Sequence, residues 1–222
     1  MKNVQRHDNS FGLVWTLTRS AYYYIALPCA LIFAAITLVV GLGSSYRYTL
    51  YATDYFLLGL LWATILVPLT YRRLSLNSRR KKIKKMVTLL SSVERFMPKK
   101  EILNAAHGKY LGIDTKSGNI LYIHIVKKGL VDVIGLTMRD WTNRELEGST
   151  LRLYTRNIDL PVLSINAPPH IAKELFDILG AMDGNGYSES FPQEPWPLHV
   201  GIQSRFVEYE HNVVVPQAAN LA

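Results

Sequence analysis

Residues 22–42, YYYIALPCALIFAAITLVVGL, carry no charge, and an apolar stretch of that length crosses a bilayer as a helix. In hydrocarbon every backbone polar group must be satisfied within the segment, which leaves few options other than a helix. Pro28 is compatible with one, because neighbouring groups satisfy the freed carbonyl, and Tyr22 to Tyr24 suit the membrane–water interface. A cleaved signal peptide is the rival reading, but the run exceeds the usual apolar core of about 7–15 residues, and a second run follows. That second run, residues 55–70, YFLLGLLWATILVPLT, extends back to Tyr51 if Asp54 sits at headgroup level. The connection between them, GSSYRYTLYATD, is short enough to force a helical hairpin over 22–71, with helices at 22–42 and about 51–71.

Charge is distributed unevenly around this pair. The net charge of +8 resolves into +2 over residues 1–71, +10 over 72–100 and −4 over 101–222. The basic cluster, Arg72, Arg73, Arg79, Arg80, Lys81, Lys82, Lys84 and Lys85, begins directly after the second apolar run. Lys2, Arg6 and Arg19 flank the first. By the positive-inside rule both flanks face the cytoplasm, which makes residues 1–21 a cytoplasmic segment and the short loop external. The expected arrangement is multi-pass, with both termini cytoplasmic; the resemblance given below implies the bacterial inner membrane. The cluster also suits anionic phospholipid headgroups, at about 1 kcal/mol per residue near the surface. No nucleic-acid partner is expected, since lipid and topology account for the run and the rest of the chain is mildly acidic.

Residues 72–100 read as a basic juxtamembrane amphipathic helix. From about Leu76 to Met97, Ile83, Met86, Val87, Leu90, Val93 and Met97 recur at spacings of three and four, forming one apolar stripe that Pro98 ends. Three readings stand: a linker helix packed on the soluble domain, an interfacial helix on the inner leaflet, or a coiled-coil homodimer contact.

Residues 101–183 have the pattern of a compact α+β domain: a small curved antiparallel sheet with a closing C-terminal helix. KYLGID, NILYIHIV and VDVIGLT read as strands, with a hairpin turn at DTKSGN. STLRLYT and LPVLSIN form a second pair around RNID. HIAKELFDILGAM, after Pro168 and Pro169, is helical and stops at Gly184 and Gly186. The remaining 184–222 is a Pro-containing tail, expected to be only partly ordered. Within it FVEYEHNVVVP suggests an added strand and QAANLA a loose end.

Chemistry-bearing motifs are scarce. The six histidines are scattered without metal-ligand spacing, and the single cysteine, Cys29, excludes an intrachain disulfide. No phosphate-binding loop, dinucleotide fingerprint or nucleophile elbow is present. No cofactor and no enzymatic activity are expected. Two stretches suggest partner contact instead: Trp141 flanked by Arg139 and Arg144 in TMRDWTNREL, and Trp196 in FPQEPWP. Each tryptophan either caps the core or stands exposed as a contact hot spot.

YLGIDTKSGNILYI, VIGLTMRDW, STLRLYT with LPVLSI, and AKELFDILGAM together resemble the pleckstrin-homology-like modules of bacterial membrane-linked proteins, which implies a binding scaffold. In overall organisation, and over residues 109–182, the chain also resembles the entry (surface) exclusion protein of IncI-type conjugative plasmids. That resemblance implies a recipient inner-membrane protein that engages a membrane component of a donor's transfer apparatus and blocks entry of a related plasmid. A membrane-tethered adaptor or regulator with a protein- or lipid-binding domain is the alternative.

Overall fold

The computed structural model describes residues 17–43, 52–92, 94–158, 160–188 and 191–221. These divide near Ser75 and Leu76 into two compact units. Most of the connection expected between the apolar helices lies outside the described residues, as do Lys2, Arg6 and Val93, and the side chain of Asp54 is likewise undescribed.

The first unit is helical. A π-helical turn, Tyr22–Ala26, leads into α1, Leu27–Gly43, and its widened ring closes from Leu27 N–H to the Tyr22 carbonyl. Pro28 explains it: the pyrrolidine has no N–H and crowds the preceding turn, and a wider turn relieves both. α2 is one helix over Ala52–Leu90 with Pro68 inside it. The Tyr22 hydroxyl donates to the Thr64 carbonyl at 2.8 Å, and the Arg72 guanidinium lies 5.1 Å from the Tyr23 ring centre. Thr37, Thr64 and Thr70 turn their hydroxyls back to carbonyls of their own helices, so these polar groups are satisfied without water. Phe33, Val39, Phe56, Val67 and Tyr71 are exposed. Two helical stretches, Leu17–Thr37 and Tyr55–Leu90, are long and apolar enough to cross a membrane, and only 6% of each apolar window is buried.

The second unit starts with the end of α2 and contains seven strands. Where the sequence predicts one small curved sheet, the strands form two antiparallel sheets: β1 (Lys100–Asn104), β2 (Lys109–Asp114), β3 (Asn119–Lys127) and β4 (Leu130–Leu136) in sequence order, then β5 (Trp141–Glu147), β6 (Thr150–Thr155) and β7 (Val162–Asn166). The β2–β3 turn is built as the sequence suggests. The Asp114 carboxylate accepts from the Lys116 N–H and the Ser117 hydroxyl, each at 2.9 Å, and Gly118 supplies the positive φ of 74°. α3, Pro169–Asp183, closes this part, with Pro168 as its N-cap residue.

Alternating residues of the first sheet feed two different cores. Ile113, Ile120, Tyr122, Ile134 and Leu136 face one way, joining Trp141, Leu151, Leu153, Leu163 and Ile165 of the second sheet and Ala172, Leu175, Leu179 and Met182 of α3. Tyr110, Leu121, Ile123, Val131 and Val133 face the other way, onto Ile83, Met86 and Leu90 of α2, Phe96, and Trp196, Val200 and Val207 of a further helix, α4 (Trp196–His211). Burial on both faces is why NILYI and LVDVIGL read as nearly unbroken apolar runs rather than alternating ones.

Three expectations require correction. The helix ends at Leu90, not near Met97; Met97 is exposed, and Phe96 enters the core through a turn at Ser92–Phe96. The tail is ordered: α4, Trp196–His211, covers most of the segment read as a strand, and only Val214 joins the sheet, bridging Leu130. Residues Pro216–Leu221 form a 3-10 helix with Ala218 buried, not a loose end. The physical reason is an entry turn rich in proline followed by a two-faced helix. Pro195 sits at the N-cap and Pro197 in the first turn of α4, where a missing N–H costs nothing. Gly135 then lets the helix come close, since a Cβ there would lie 2.7 Å from Val200.

Candidate functional site

On α2 the cationic and apolar residues separate cleanly. Ile83, Met86 and Leu90 are buried in the second core, while Arg79, Arg80, Lys81, Lys84 and Lys85 are exposed and Lys82 is half-buried. Arg72 and Arg73, in the other unit, are exposed as well. Among the described residues none of these eight forms an ion pair with an acid. Residues 79–85 therefore present a positive surface without an acidic partner among the described residues, suited to an anionic one. The apolar stripe is consumed by the domain, which matches the linker-helix reading and leaves none of Ile83, Met86 and Leu90 free to enter a leaflet.

The two tryptophans are interior. Trp141 is 5% exposed, the first residue of β5 rather than part of a connection, and packs in the first core. The turn before it is pinned by Asp140, whose carboxylate accepts from the Thr137 N–H at 2.7 Å and from its hydroxyl at 2.6 Å. Arg139 is exposed, whereas Arg144 is half-buried with its guanidinium 4.7 Å from the Phe176 ring centre and close against Gly180. Trp196 is 2% exposed, stacked on Phe96 at 4.8 Å, and its indole N–H donates to the Ile120 carbonyl at 3.0 Å. Of the four residues put forward for partner contact, only Arg139 is exposed. A lone tryptophan among charges does not reveal which of them faces water, and here Arg139 does while Trp141 does not.

Two polar clusters escaped the sequence reading. The Glu194 carboxylate accepts from the Arg95 guanidinium at 3.0 Å and pairs with His199 Nδ1 at 2.7 Å, and Arg95 also lies 4.2 Å from the Phe191 ring centre. The His199 bond, with help from Arg95, holds the Glu194 carboxyl below its ordinary value. These contacts clip the segment before α4 onto the turn at residues 94–96. The second cluster joins β4 to the C-terminal segment: the Gln217 side-chain amide donates to the buried Asp132 carboxylate and accepts from the Val133 N–H, both at 3.2 Å. Gln217 thus supplies the partner that another strand would give this N–H. His124 lies opposite Asp132 in the β3–β4 pairing, at 3.8 Å. Both clusters unite residues far apart in sequence, so no local signal announces them.

Clefts beside the β2–β3 turn, lined by Ser117, Asn119, Tyr187 and Ser188 among others, measure only about 20 and 70 Å³. Small-molecule sites usually occupy about 300–1,000 Å³. A wider depression at Lys100, His170, Lys173, Glu174 and Asp177 is largely open to solvent, and its Lys100 and Glu174 pair with each other. Among the described residues no group of three or more His, Cys, Asp or Glu is arranged to hold a metal ion. The accessible features are thus a cationic helix face and an ordered domain surface.

No curated protein and no solved structure matches the chain. The family described as exclusion-determining protein matches residues 1–219, nearly the whole length. The match runs through both apolar helices, the basic face and both cores, and on that extent the chain belongs to the exclusion-determining protein family.

Proposed function

We propose that this chain is an inner-membrane exclusion protein: in a recipient cell it blocks entry of a related conjugative plasmid by binding a component of the donor transfer apparatus. The family match over residues 1–219 carries the reading. Membrane residence is supported by two apolar helices whose side chains lack protein cover, since such surface is costly in water. The Tyr22–Thr64 hydrogen bond and the Arg72–Tyr23 contact support a hairpin, since they join the start of the first helix to the later part of the second. With Arg19 and Arg72 both against the Tyr23 ring, the positive-inside rule favours a cytoplasmic side for both flanks of the pair.

In this reading the domain beyond Leu76 acts by binding, not by catalysis. The seven antiparallel strands and α3 serve in this reading as a binding scaffold of the kind the pleckstrin-homology-like resemblance implies, although fold alone assigns no ligand. The test is plasmid transfer into recipients that express the chain alone, with an IncI-type donor and an unrelated conjugative donor in parallel. A large loss of transfer confined to the IncI-type donor is the expected result. Equal transfer from both donors, with the protein verified in the membrane fraction, overturns the proposal and favours the tethered adaptor.

A further inference from the structure

β5 carries two buried donors with nothing to bond. The indole N–H of Trp141, a side chain 5% exposed, and the Nε–H of Arg144 have no hydrogen-bond partner among the described residues. Folded chains leave few buried polar groups unsatisfied, so two on one strand need a reason. The strand register brings them to one face. Pairing with β6 runs Trp141↔Thr155 and then Asn143↔Tyr154, which leaves Thr142 as a bulge. Strict alternation from Trp141 would turn residue 144 to the opposite face. The bulge re-aims it inward with Trp141 and Leu146, while Glu145 and Tyr154 bond each other on the outer face.

α3 makes room for the arginine. Phe176 and Gly180, one turn apart, meet its guanidinium: the ring centre is 4.7 Å away, and a Cβ on Gly180 would collide with Nη2. Glycine inside a helix weakens it, so α3 gives up stability to admit a cation. That cation has no acid. Neither Asp177 nor Asp183 of α3 forms an ion pair with it, and Glu145, next along the strand, pairs with Arg152 at 3.4 Å. Arg139 and Arg156 are exposed at the turn into β5, where the Arg156 N–H donates to the Asp140 carbonyl.

We propose that the seam between β5 and α3 is a carboxylate-binding site, filled by an aspartate or glutamate side chain of a partner polypeptide. The inference rests on the binding role proposed above and names the chemistry of the partner. Arg144 is half-buried, so an acceptor reaches it from the surface, and its parallel donors match the two oxygens of a carboxylate. The Trp141 indole adds a neutral donor from the same face. One guanidinium balances the single charge of a carboxylate, whereas a phosphate group brings close to two. Arg139 and Arg156 give the rim a positive field that draws an acidic segment in.

The test uses the full chain, labelled with nitrogen-15, in nanodiscs. The Trp141 indole N–H and Arg144 Nε–H signals are assigned with Trp141→Phe and Arg144→Lys. The probes are a capped tetraglutamate peptide, its glutamine counterpart and inorganic phosphate. Both signals should move along one binding curve with tetraglutamate and stay still with the glutamine peptide. Arg144→Gln should weaken the indole response by about tenfold or more. Gly180→Ala displaces the guanidinium yet favours the helix, so it should weaken binding as much without lowering Tm. Signals that move with no probe overturn the site and leave Arg144 as packing on Phe176. Signals that move with phosphate alone overturn the carboxylate assignment. In recipients, Gly180→Ala should lose most exclusion of an IncI-type donor. Undiminished exclusion by this variant overturns the partner role of the site. A wild-type chain that excludes nothing overturns the functional reading alone, and the titration still decides the site.

Discussion

Replacing Trp196 with alanine tests whether the region after Gly184 belongs to the fold. The indole is 2% exposed, stacks on Phe96, and gives its N–H to the Ile120 carbonyl. A buried tryptophan covers about 150–250 Å², worth roughly 4–6 kcal/mol at about 25 cal/mol per Å². Measured losses for large aromatics truncated to alanine run at about 3–5 kcal/mol, so about 4 kcal/mol is expected here. For a chain of this size each kcal/mol shifts Tm by about 2–4 °C, which gives a drop of roughly 10 °C. The assay is thermal unfolding of the full chain in detergent, followed by a signal from the strand-rich domain. Trp196→Phe keeps the ring and removes the donor, and should cost about 1–2 kcal/mol. A Trp196→Ala shift below about 2 °C, equivalent to under about 1 kcal/mol, would mean that α4 is an appendage and that the second core is misassigned.

Gly118→Val should destabilise by at least about 1–2 kcal/mol through its left-handed backbone, and more because a Cβ there lies 2.6 Å from the Tyr187 ring. Adding Tyr187→Ala in a double-mutant cycle should recover the contact part and not the backbone part. Glu194 has a depressed folded pKa, so its contribution is present above its unfolded value of about 4.5 and is lost as pH falls through the folded one. Glu194→Gln should therefore flatten the fall of Tm with pH below about 4.5, and an unchanged profile would remove the His199–Glu194–Arg95 link from the acid response. Reporter fusions should show an external signal at Ser45 and a cytoplasmic one at Ala222; an external signal at Ala222 contradicts the hairpin.

Much of the architecture can be read from local patterns. The two apolar helices declare themselves by length and absence of charge, the β2–β3 hairpin by Asp114 and Gly118, and α3 by its prolines and periodic Leu175 and Leu179. The misses have separate causes. β5 reads as polar because only Trp141 and Leu146 of its seven residues are even partly covered and apolar. Residues 206–216 read as a strand because Val207, Val213 and Val215 are buried while Phe206, Tyr209 and Val214 are exposed, which hides the end of α4 at His211. The second core could not be foreseen, since it joins Ile83 and Met86 to Val200 and Val207 across more than a hundred residues. The basic face was legible because charge is visible in the sequence, but the burial of Trp141 and Trp196 was not.

Exclusion by this chain in the recipient is the central proposal. The most direct measurement is IncI-type transfer frequency with the chain expressed only in recipients, only in donors, or in neither, with an unrelated conjugative plasmid run beside it. The prediction is a large loss for the IncI-type plasmid when the recipient makes the protein, and no change when the donor alone makes it or for the unrelated plasmid. Transfer that is undiminished with the protein present in recipient membranes, or reduced equally for both plasmids, would contradict it.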